Sequence, residues 1–405
     1  MSTAAADRPE WKVLSLIGAA HLVSHVYFLL LPPLFPLLKD EFAATYTELG
    51  LALAAYALAS SVGQTPVGFL VDRIGGRALL AGGVLVQGLT ALAVAFADTY
   101  WVIVALFGVA GLASTVYHPA DYAILSASIP RARLGRAFSV HNLTGNIGSA
   151  VTPPTMIALT ALWNWRAAIA AIGLLSILLA LVLHWQRDAL AEEQVDADET
   201  PGAAGHGEAR GLALLVSPPI LTAFAFCVLS SIAFSAISTY VVAAVVEMHR
   251  VPLAAANAVL TGFLAGSAAG ILIAGFFVDR ARNPAWLAMV STALSAIILT
   301  AVGFAAPSIA GLLAAIALIG ACAGVVQPAR DLLVRHVTPA GATGAVFGFL
   351  STGFAIGSAV TPIVFGWVLD HGDPRWLYWL AAGFLLVSLP TLGGIRRRVN
   401  APASA

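Results

Sequence analysis

Four side chains capable of acid–base chemistry lie in stretches of this sequence that are otherwise almost free of charge. His21 and His25 are four positions apart, so they share one face of a helix. His118 and Asp121 are three positions apart and lie nearly on one face in the same way. An imidazole changes charge near neutral pH, and a carboxylate beside it titrates together with it. The spacing therefore predicts groups that bind and release protons.

The elements that position these groups are apolar. Hydrophobic residues make up 60% of the chain, charged residues only 10%, and the mean hydropathy is +0.90. Such a composition indicates that the solvent is a lipid bilayer, which a helix of about 20 apolar residues can cross. Barrel strands are excluded because they would alternate polar and apolar residues, whereas runs such as 165–185 are apolar on every side.

Twelve apolar stretches of sufficient length predict an all-α polytopic membrane protein. Charged or Gly- and Pro-containing clusters separate them. The predicted spans are 13–37, 47–70, 78–97, 100–127, 136–159, 164–186, 213–245, 253–276, 285–305, 307–333, 342–368 and 375–395.

The distribution of positive charge predicts the topology. If the N-terminus is cytoplasmic, all but four of the 20 Lys and Arg residues lie on the cytoplasmic side or at its margin. Because cytoplasmic loops are enriched in Lys and Arg, both termini are expected inside the cell. The first apolar stretch is too long for a cleavable signal peptide and counts as a span. The four exceptions are Lys39, Arg166, Arg250 and Arg375.

The sequence contains an internal repeat. Residues 116–153 aligned without a gap on 325–362 share 13 of 38 residues, including the hexapeptide GSAVTP, and GFLVDR at 68–73 reappears as GFFVDR at 275–280. Each repeated stretch falls at the same place in a set of six spans. The halves therefore run in the same direction, as two pseudo-symmetric six-helix bundles.

One polar, acidic stretch separates the two halves. Residues 187–211 combine seven Asp and Glu with several Gly and Ala, a composition that favours disorder. The predicted organisation is an N-terminal six-helix bundle at 1–186, a cytoplasmic linker at 187–211 and a C-terminal six-helix bundle at 212–405. The net charge of zero gives no indication of a nucleic-acid partner.

Three stretches carry a family resemblance: AHLVSHVYFLLLPPLFPLL at 20–38, STVYHPADYAILS at 114–126 and GRAFSVHNLTGNIGSAVTP at 135–153. With GFLVDRIGGR at 68–77, they make the chain resemble the major facilitator superfamily, and within it the fosmidomycin-resistance type of exporter. The resemblance implies the twelve-helix fold of that superfamily, alternating access and proton-coupled drug antiport. It departs from many drug antiporters in having Phe107 where an Arg is usual in the fourth span.

The resemblance also implies a cytoplasmic gate at the ends of the second and eighth spans. Asp and Arg side chains there would hold the inner side shut through helix ends and ion pairs. Arg73 and Arg77 are also consistent with simple markers of the cytoplasmic side. The predicted gate residues are Gly68, Asp72, Arg73, Gly75 and Arg77, with Asp279 and Arg280 in the second copy.

The aligned halves differ in chemistry at the fourth and tenth spans. His118 aligns with Gln327 and Asp121 with Arg330, which Asp331 follows, while a proline is kept in both copies. Arg330 is expected either to bind an anionic group of the substrate or to pair with Asp121 across the interface when the cytoplasmic side closes. The ion pair is favoured because both residues lie towards the inner end.

Histidines in such spans also have a purely structural interpretation. A neutral imidazole can be satisfied by hydrogen bonds inside the bundle, and Asp121 can serve the gate instead of the proton. His141, Asn142 and Asn146 form a polar stripe in the fifth span, for which hydrogen bonding between helices is the favoured interpretation.

The repeated GSAVTP predicts helix packing rather than chemistry. Small residues let helices approach closely, and proline lets a helix bend. The fifth and eleventh spans are therefore expected to pack against the opposite half as a pivot. The predicted pivot residues are Gly148, Ser149, Pro153, Gly357, Ser358 and Pro362.

The sequence predicts a secondary transporter of the bacterial inner membrane that exports a small polar or amphipathic molecule in exchange for protons. No G-x-x-x-x-G-K-[ST] motif is present, so the proton gradient is the expected energy source and no cofactor is expected. Cys227 and Cys322 lie in apolar spans without ligand spacing, so no metal site is predicted. The expected partners are the substrate, protons and lipid, with the chain as a monomer. The alternatives are a proton-coupled importer of a small organic anion and, more remotely, a membrane enzyme or receptor on a transporter scaffold.

Overall fold

The computed structural model describes residues 10–190, 214–277, 284–305, 307–338 and 343–399. These residues form helices, turns and short loops, with no strand among them. Contacts divide the chain into two units. The first unit contains residues 1–44 and 51–199, and the second contains 45–50 and 200–405.

The first unit contains the first six predicted spans, apart from the first residues of the second span. Its helices are α1 (Glu10–Phe28), α2 (Phe35–Phe42), α3 (Tyr46–Ile74), α4 (Gly76–Ala95), α5 (Tyr100–Ser114), α6 (Tyr117–Ser128), α7 (Arg131–Leu162) and α8 (Trp165–Trp185). The second unit contains the remaining six. Its helices are α9 (Pro218–His249), α10 (Leu253–Phe277), α11 (Pro284–Ala305), α12 (Ile309–Val337), α13 (Thr343–His371) and α14 (Trp376–Val399).

Ten helical stretches in the described part of the chain are long and apolar enough to cross a membrane. The second and fifth predicted spans correspond to α3 and α7, which are 29 and 32 residues long but more polar. At 1.5 Å per residue both exceed the roughly 30 Å of a bilayer core. All twelve predicted spans are therefore helical.

Two predicted spans are interrupted in the structure. A 3-10 turn at Pro32–Leu34 separates α1 from α2, because consecutive prolines remove two backbone donors. The fourth span divides into α5 and α6 at 115–116, just before Pro119, because a proline leaves a carbonyl one turn earlier without its helical donor. The tenth span carries the equivalent Pro328 but remains one continuous helix, α12.

Each unit has its own apolar core. In the first unit, the core includes Ile17 of α1, Val84 of α4 and Ile124 of α6, each at most 1% exposed. The predicted linker begins inside this core, because a 3-10 turn at Arg187–Ala189 leads to the buried Leu190. The rest of the predicted linker, 191–211, lies outside the described residues. The core of the second unit is built around Phe226, Ala288 and Val334.

The first residues of α3 belong to the second unit, where a distant carboxylate caps them. Asp370 accepts hydrogen bonds from the backbone N–H groups of Tyr46 and Thr47, at 2.6 and 2.9 Å, and from the Thr47 hydroxyl at 2.6 Å. A negative group at a helix N-terminus satisfies donors that lack partners within the helix. Asp370 therefore fixes the start of α3.

Candidate functional site

The predicted proton-binding residues converge in the first unit on three helices. His21 and His25 lie on α1, His118 and Asp121 lie on α6, and a further residue, His141, reaches them from α7. The ring centroids of His21 and His141 are 3.6 Å apart and the planes are stacked within 13°. The His21 ring lies 4.8 Å from His25 and 5.5 Å from His118. We call these five residues the histidine cluster.

The carboxylate of the cluster is paired with His141. The Nε2 atom of His141 lies 2.9 Å from Oδ2 of Asp121, and the two side chains are 1% and 0% exposed. The sequence-based pairing of Asp121 with His118 is therefore wrong. Although three positions apart, the two side chains diverge. Asp121 is buried against α7, whereas His118 is exposed and stacks on Tyr122 with centroids 6.0 Å apart.

Hydrogen bonds to α7 also hold the two α1 histidines. Nδ1 of His21 lies 2.7 Å from the backbone carbonyl oxygen of His141, and Nδ1 of His25 lies 3.0 Å from the Ser149 hydroxyl. His21 is 2% exposed and His25 is half-buried. Both rings are thereby fixed in orientation by the fifth span.

A glycine of α7 makes room for the cluster. A Cβ atom on Gly145 would lie 2.7 Å from Cε1 of His21 and 2.7 Å from Nε2 of His25. No real side chain tolerates such contacts without a shift of its neighbours. Gly145 is thus required by close approach, and sequence reasoning missed it because nothing local distinguishes it from a packing glycine.

A second buried polar network lies beside the cluster and was also missed. The side chain of Gln87 donates to the Tyr56 hydroxyl at 3.3 Å and accepts from the Tyr117 hydroxyl at 2.5 Å. Gln87 is 0% exposed. The sequence does single out Gln87 in one way, because it is the one side-chain amide in the apolar third span.

The polar residues predicted in the second unit have local partners. Nε and Nη2 of Arg330 donate to Oδ1 of Asp331 at 2.8 and 2.6 Å, and the guanidinium carbon lies 4.5 Å from the centre of the Phe354 ring. Gln327 is exposed one turn earlier on α12. The ion pair favoured from sequence, Arg330 with Asp121 when the cytoplasmic side closes, would join the two units and stays a prediction.

Part of the predicted gate is described. Gly75 has a φ of 88°, a backbone conformation that favours glycine, and it makes the turn from α3 to α4. No close helix contact requires a glycine at position 68, since a Cβ on Gly68 would meet nothing within 4 Å. Arg73 is exposed. Arg77 donates to the Arg187 carbonyl at 3.2 Å. The side chain of Asp72, together with Asp279 and Arg280, lies outside the described residues.

The two GSAVTP copies pack in the same way within their own units. Gly148 approaches the Leu22 backbone of α1 so closely that a Cβ would clash, and Gly357 does the same at Val228 of α9. These glycines contact the first helix of their own half, and Pro362 of the second copy lies against Gly50 of α3. The predicted role of the two copies as a pivot stays a prediction. The helices α7 and α13 continue through Pro153 and Pro362.

The serines of the two copies differ in their hydrogen-bond partners. Ser149 bonds to His25, whereas the Ser358 hydroxyl lies 3.2 and 3.1 Å from the hydroxyls of Ser231 and Ser235 on α9. The same scaffold thus presents an imidazole in the first unit and hydroxyls in the second.

The sequence model of the Major Facilitator Superfamily matches residues 17–256 and 228–404. The chain belongs to the major facilitator superfamily. It is similar to the fosmidomycin resistance protein of Escherichia coli (strain K12), with 24% identity over 395 residues that cover 95% of this chain and 93% of the relative. It is also similar to the probable sulfoacetate transporter SauU of Cupriavidus necator, with 22% identity over 383 residues that cover 87% and 85%.

The fold is that of solved major facilitator structures. A bacterial homologue of the human lysosomal transporter Spinster, in an inward-facing and occupied conformation, superposes with a TM-score of 0.78 over 97% of this chain and 99% of that one, at 14% identity. At that identity the likeness establishes the fold alone. The predicted resemblance and the twelve-helix major facilitator fold are confirmed, and the chain is a multi-pass membrane transporter rather than an enzyme.

Proposed function

We propose that this major facilitator protein exports a small polar or amphipathic molecule in exchange for protons, by alternating access. The observation that carries the proposal is the Asp121–His141 pair, buried between α6 and α7 and surrounded by three further imidazoles. Ionisable groups are expensive inside a membrane, so they are rare there and mark ion pathways and proton relays. A buried acid and base 2.9 Å apart is such a group.

The cluster is suited to carry one proton at a time. Because the rings and the carboxylate are neighbours, one added proton changes the charge of the whole cluster. His118 is exposed and gives the buried members a route to water. The other groups facing the pair are His21 and His25 from α1 and Tyr122 from α6.

In the proposed cycle, a proton enters from the outside and is released inside. Protonation changes the charge of the cluster, which changes the relative stability of the two conformations. Substrate bound in the alternate conformation then moves outward. The proton gradient supplies the energy, and no cofactor takes part. The proposed gate acts mechanically, by holding the cytoplasmic side shut. Its residues are Gly68, Asp72, Arg73, Gly75 and Arg77, with Asp279 and Arg280 in the second half.

The expected setting is the bacterial inner membrane, with both termini in the cytoplasm and the chain acting as a monomer. Support comes from the excess of Lys and Arg on the loops assigned to the cytoplasm. Labelling of single cysteines placed at the two termini in intact and permeabilised cells tests the orientation. Labelling of intact cells would contradict it.

The export proposal is tested in proteoliposomes that contain a pH-sensitive dye. Fosmidomycin is the first probe, because a relative is named for resistance to it. With an imposed pH gradient, the probe should move against the direction of proton flow, and an opposing probe gradient should drive protons. Uptake of the probe into the vesicle together with protons would contradict the export proposal.

Import of a small organic anion with protons is the second candidate. Arg330 offers a cation that is only 15% exposed, and a similar protein is named a probable sulfoacetate transporter. In this case sulfoacetate would accumulate with an inward proton gradient, and Arg330→Gln would abolish the accumulation. The same vesicle assay therefore decides between the two candidates by direction of flux.

A further inference from the structure

Two buried imidazoles of the histidine cluster each present a ring nitrogen that has no hydrogen-bond partner. Nδ1 of His21 faces the His141 carbonyl, which can only accept, so the proton of the neutral ring is on Nδ1. Nε2 of His141 faces the Asp121 carboxylate and carries its proton for the same reason. This leaves bare lone pairs on Nε2 of His21 and Nδ1 of His141, and both atoms are buried and unpartnered.

This arrangement is the one found around metal ions. A histidine that binds a metal almost always donates its other N–H to a carboxylate or a backbone carbonyl, which fixes the tautomer and orients the ring. His141 has the carboxylate of Asp121, and His21 has the carbonyl of His141. Both outer partners are therefore already in place.

A third nitrogen ligand is within reach. Ligand atoms of His21, His118 and His141 all lie within 4.8 Å of one another. Zinc bonds nitrogen at about 2.0–2.1 Å, which places the nitrogens of a tetrahedral site about 3.4 Å apart. Because the His21 and His141 rings are stacked, coordination needs the His21 ring to rotate about χ2, a broad torsion in histidine. His21 then exchanges its hydrogen bond to the His141 carbonyl for the metal contact, while His141 keeps its hydrogen bond to Asp121.

Burial favours a small ion over an organic cation. His21, His141 and Asp121 are at most 2% exposed, so no space is open for a substituted ammonium group. His118 is exposed and provides the entry point. Imidazole ligands suit zinc, copper and nickel, whereas calcium and magnesium require oxygen ligands.

We propose that His21, His118 and His141 form a three-histidine site for a divalent transition-metal ion such as Zn²⁺, with Asp121 orienting His141 from outside the ligand set. The metal ion competes with protons for the same nitrogen atoms and takes no part in transport, for which the site is free of metal. The sequence predicted no metal site because the ligands come from three helices and lie 97 and 23 positions apart, in no recognisable motif.

The test uses the full chain in detergent, purified through a tag without histidines and treated with a chelator. Co²⁺ is the spectroscopic probe, because a four-coordinate nitrogen site gives intense visible absorption, and Zn²⁺ is then added as the competitor. The expected result is saturation at one Co²⁺ per chain, displacement by Zn²⁺ and a raised unfolding temperature. Asp121→Asn should weaken Co²⁺ binding about 10–100-fold, as outer-partner changes do.

Variants separate the site from general binding. His118→Gln alters an exposed side chain and should keep the helical circular dichroism while losing the visible band. His371→Gln, an exposed histidine stacked on Trp367, is the matched control and should leave the titration unchanged. An unchanged band in His118→Gln, or no saturable absorption in the wild-type protein, would overturn the site.

Failure of this inference and failure of the proposed function are distinguishable. Metal binding is measured without substrate or membrane, and proton-coupled transport is measured in chelator-treated vesicles. Transport without Co²⁺ binding removes the metal site alone. Co²⁺ binding without proton-coupled flux removes the proposed exporter and leaves the metal site standing.

Discussion

The two halves of this transporter use one scaffold for different chemistry. When the two halves are aligned without a gap, His141 corresponds to Leu350 and Gly145 to Phe354. In the first unit, the glycine leaves room for two imidazoles and His141 binds Asp121. In the second unit, Leu350 is 3% exposed in an apolar core, and the Phe354 ring packs under a guanidinium.

The difference teaches that the repeat conserves helix packing but not function. In both units a glycine of GSAVTP approaches the first helix closely, and the following serine bonds to a polar residue of that helix. At the aligned positions, only the first unit carries imidazole side chains. We therefore propose proton coupling in the first half and scaffold and substrate contacts in the second half.

The largest effect is expected from breaking the Asp121–His141 pair. His141→Ala leaves the Asp121 carboxylate buried without its partner and should lower the unfolding free energy by about 3–5 kcal/mol. The double variant Asp121→Leu with His141→Leu copies the apolar character of the second unit and should be close to wild type in stability, because apolar pairs often replace buried ion pairs without loss. Thermal unfolding in detergent measures both. Equal destabilisation of the two variants would contradict the pair as described.

Filling the space at Gly145 should have the next largest effect. Gly145→Ala places a Cβ against both α1 histidines and should destabilise by about 1–3 kcal/mol, as overpacking does. Gly135→Ala on the same helix is the matched control, since nothing lies within 4 Å of its Cβ position. It should be neutral or slightly stabilising. A neutral Gly145→Ala would show that the close approach is not real.

The paired serines offer a smaller and more selective test. Ser149→Ala and Ser358→Ala each remove one hydroxyl and should each cost about 1 kcal/mol of stability. Only Ser149→Ala frees a histidine, so only this variant should change the pH profile of transport. Measurement of flux over a pH series compares them. Parallel changes in both profiles would remove the functional distinction between the halves.

The smallest effect is expected at Phe354. Phe354→Leu keeps the apolar volume but removes the ring under Arg330, so about 0.5–2 kcal/mol of cation–π attraction is lost. Proton coupling should persist. Thermal unfolding and proton flux are measured on the same preparation, and a loss of coupling in this variant would mean that the second unit takes part in proton transfer.

The fold was largely readable from sequence because bilayer thickness and the absence of water fix it. Apolar runs of sufficient length had to be helices, and the repeat gave their arrangement. The break at Pro32–Leu34 was not predicted, and Pro328 lies in an unbroken helix although Pro119 follows a break. A proline weakens a helix locally, but packing decides whether the helix divides.

The site could be predicted only in part, because which side chains on different helices meet depends on how each helix is rotated about its own axis. His21, His25, His118 and Asp121 were identified from the cost of placing them in a membrane. Spacing alone paired Asp121 with His118, whereas the actual partner, His141, lies 20 positions away on another helix. No local pattern marks Gly145 or Gln87, whose roles come from what approaches them.

The central claim is that protons couple to transport through the Asp121–His141 pair, and proton movement in the double leucine variant tests it most directly. Proteoliposomes with wild-type protein, Asp121→Leu with His141→Leu, or Arg330→Gln are given a probe gradient, and internal pH is followed with a dye. The account predicts that the wild-type protein and Arg330→Gln move protons, whereas the double variant still exchanges probe for probe but moves none. Wild-type proton flux in the double variant would contradict the account.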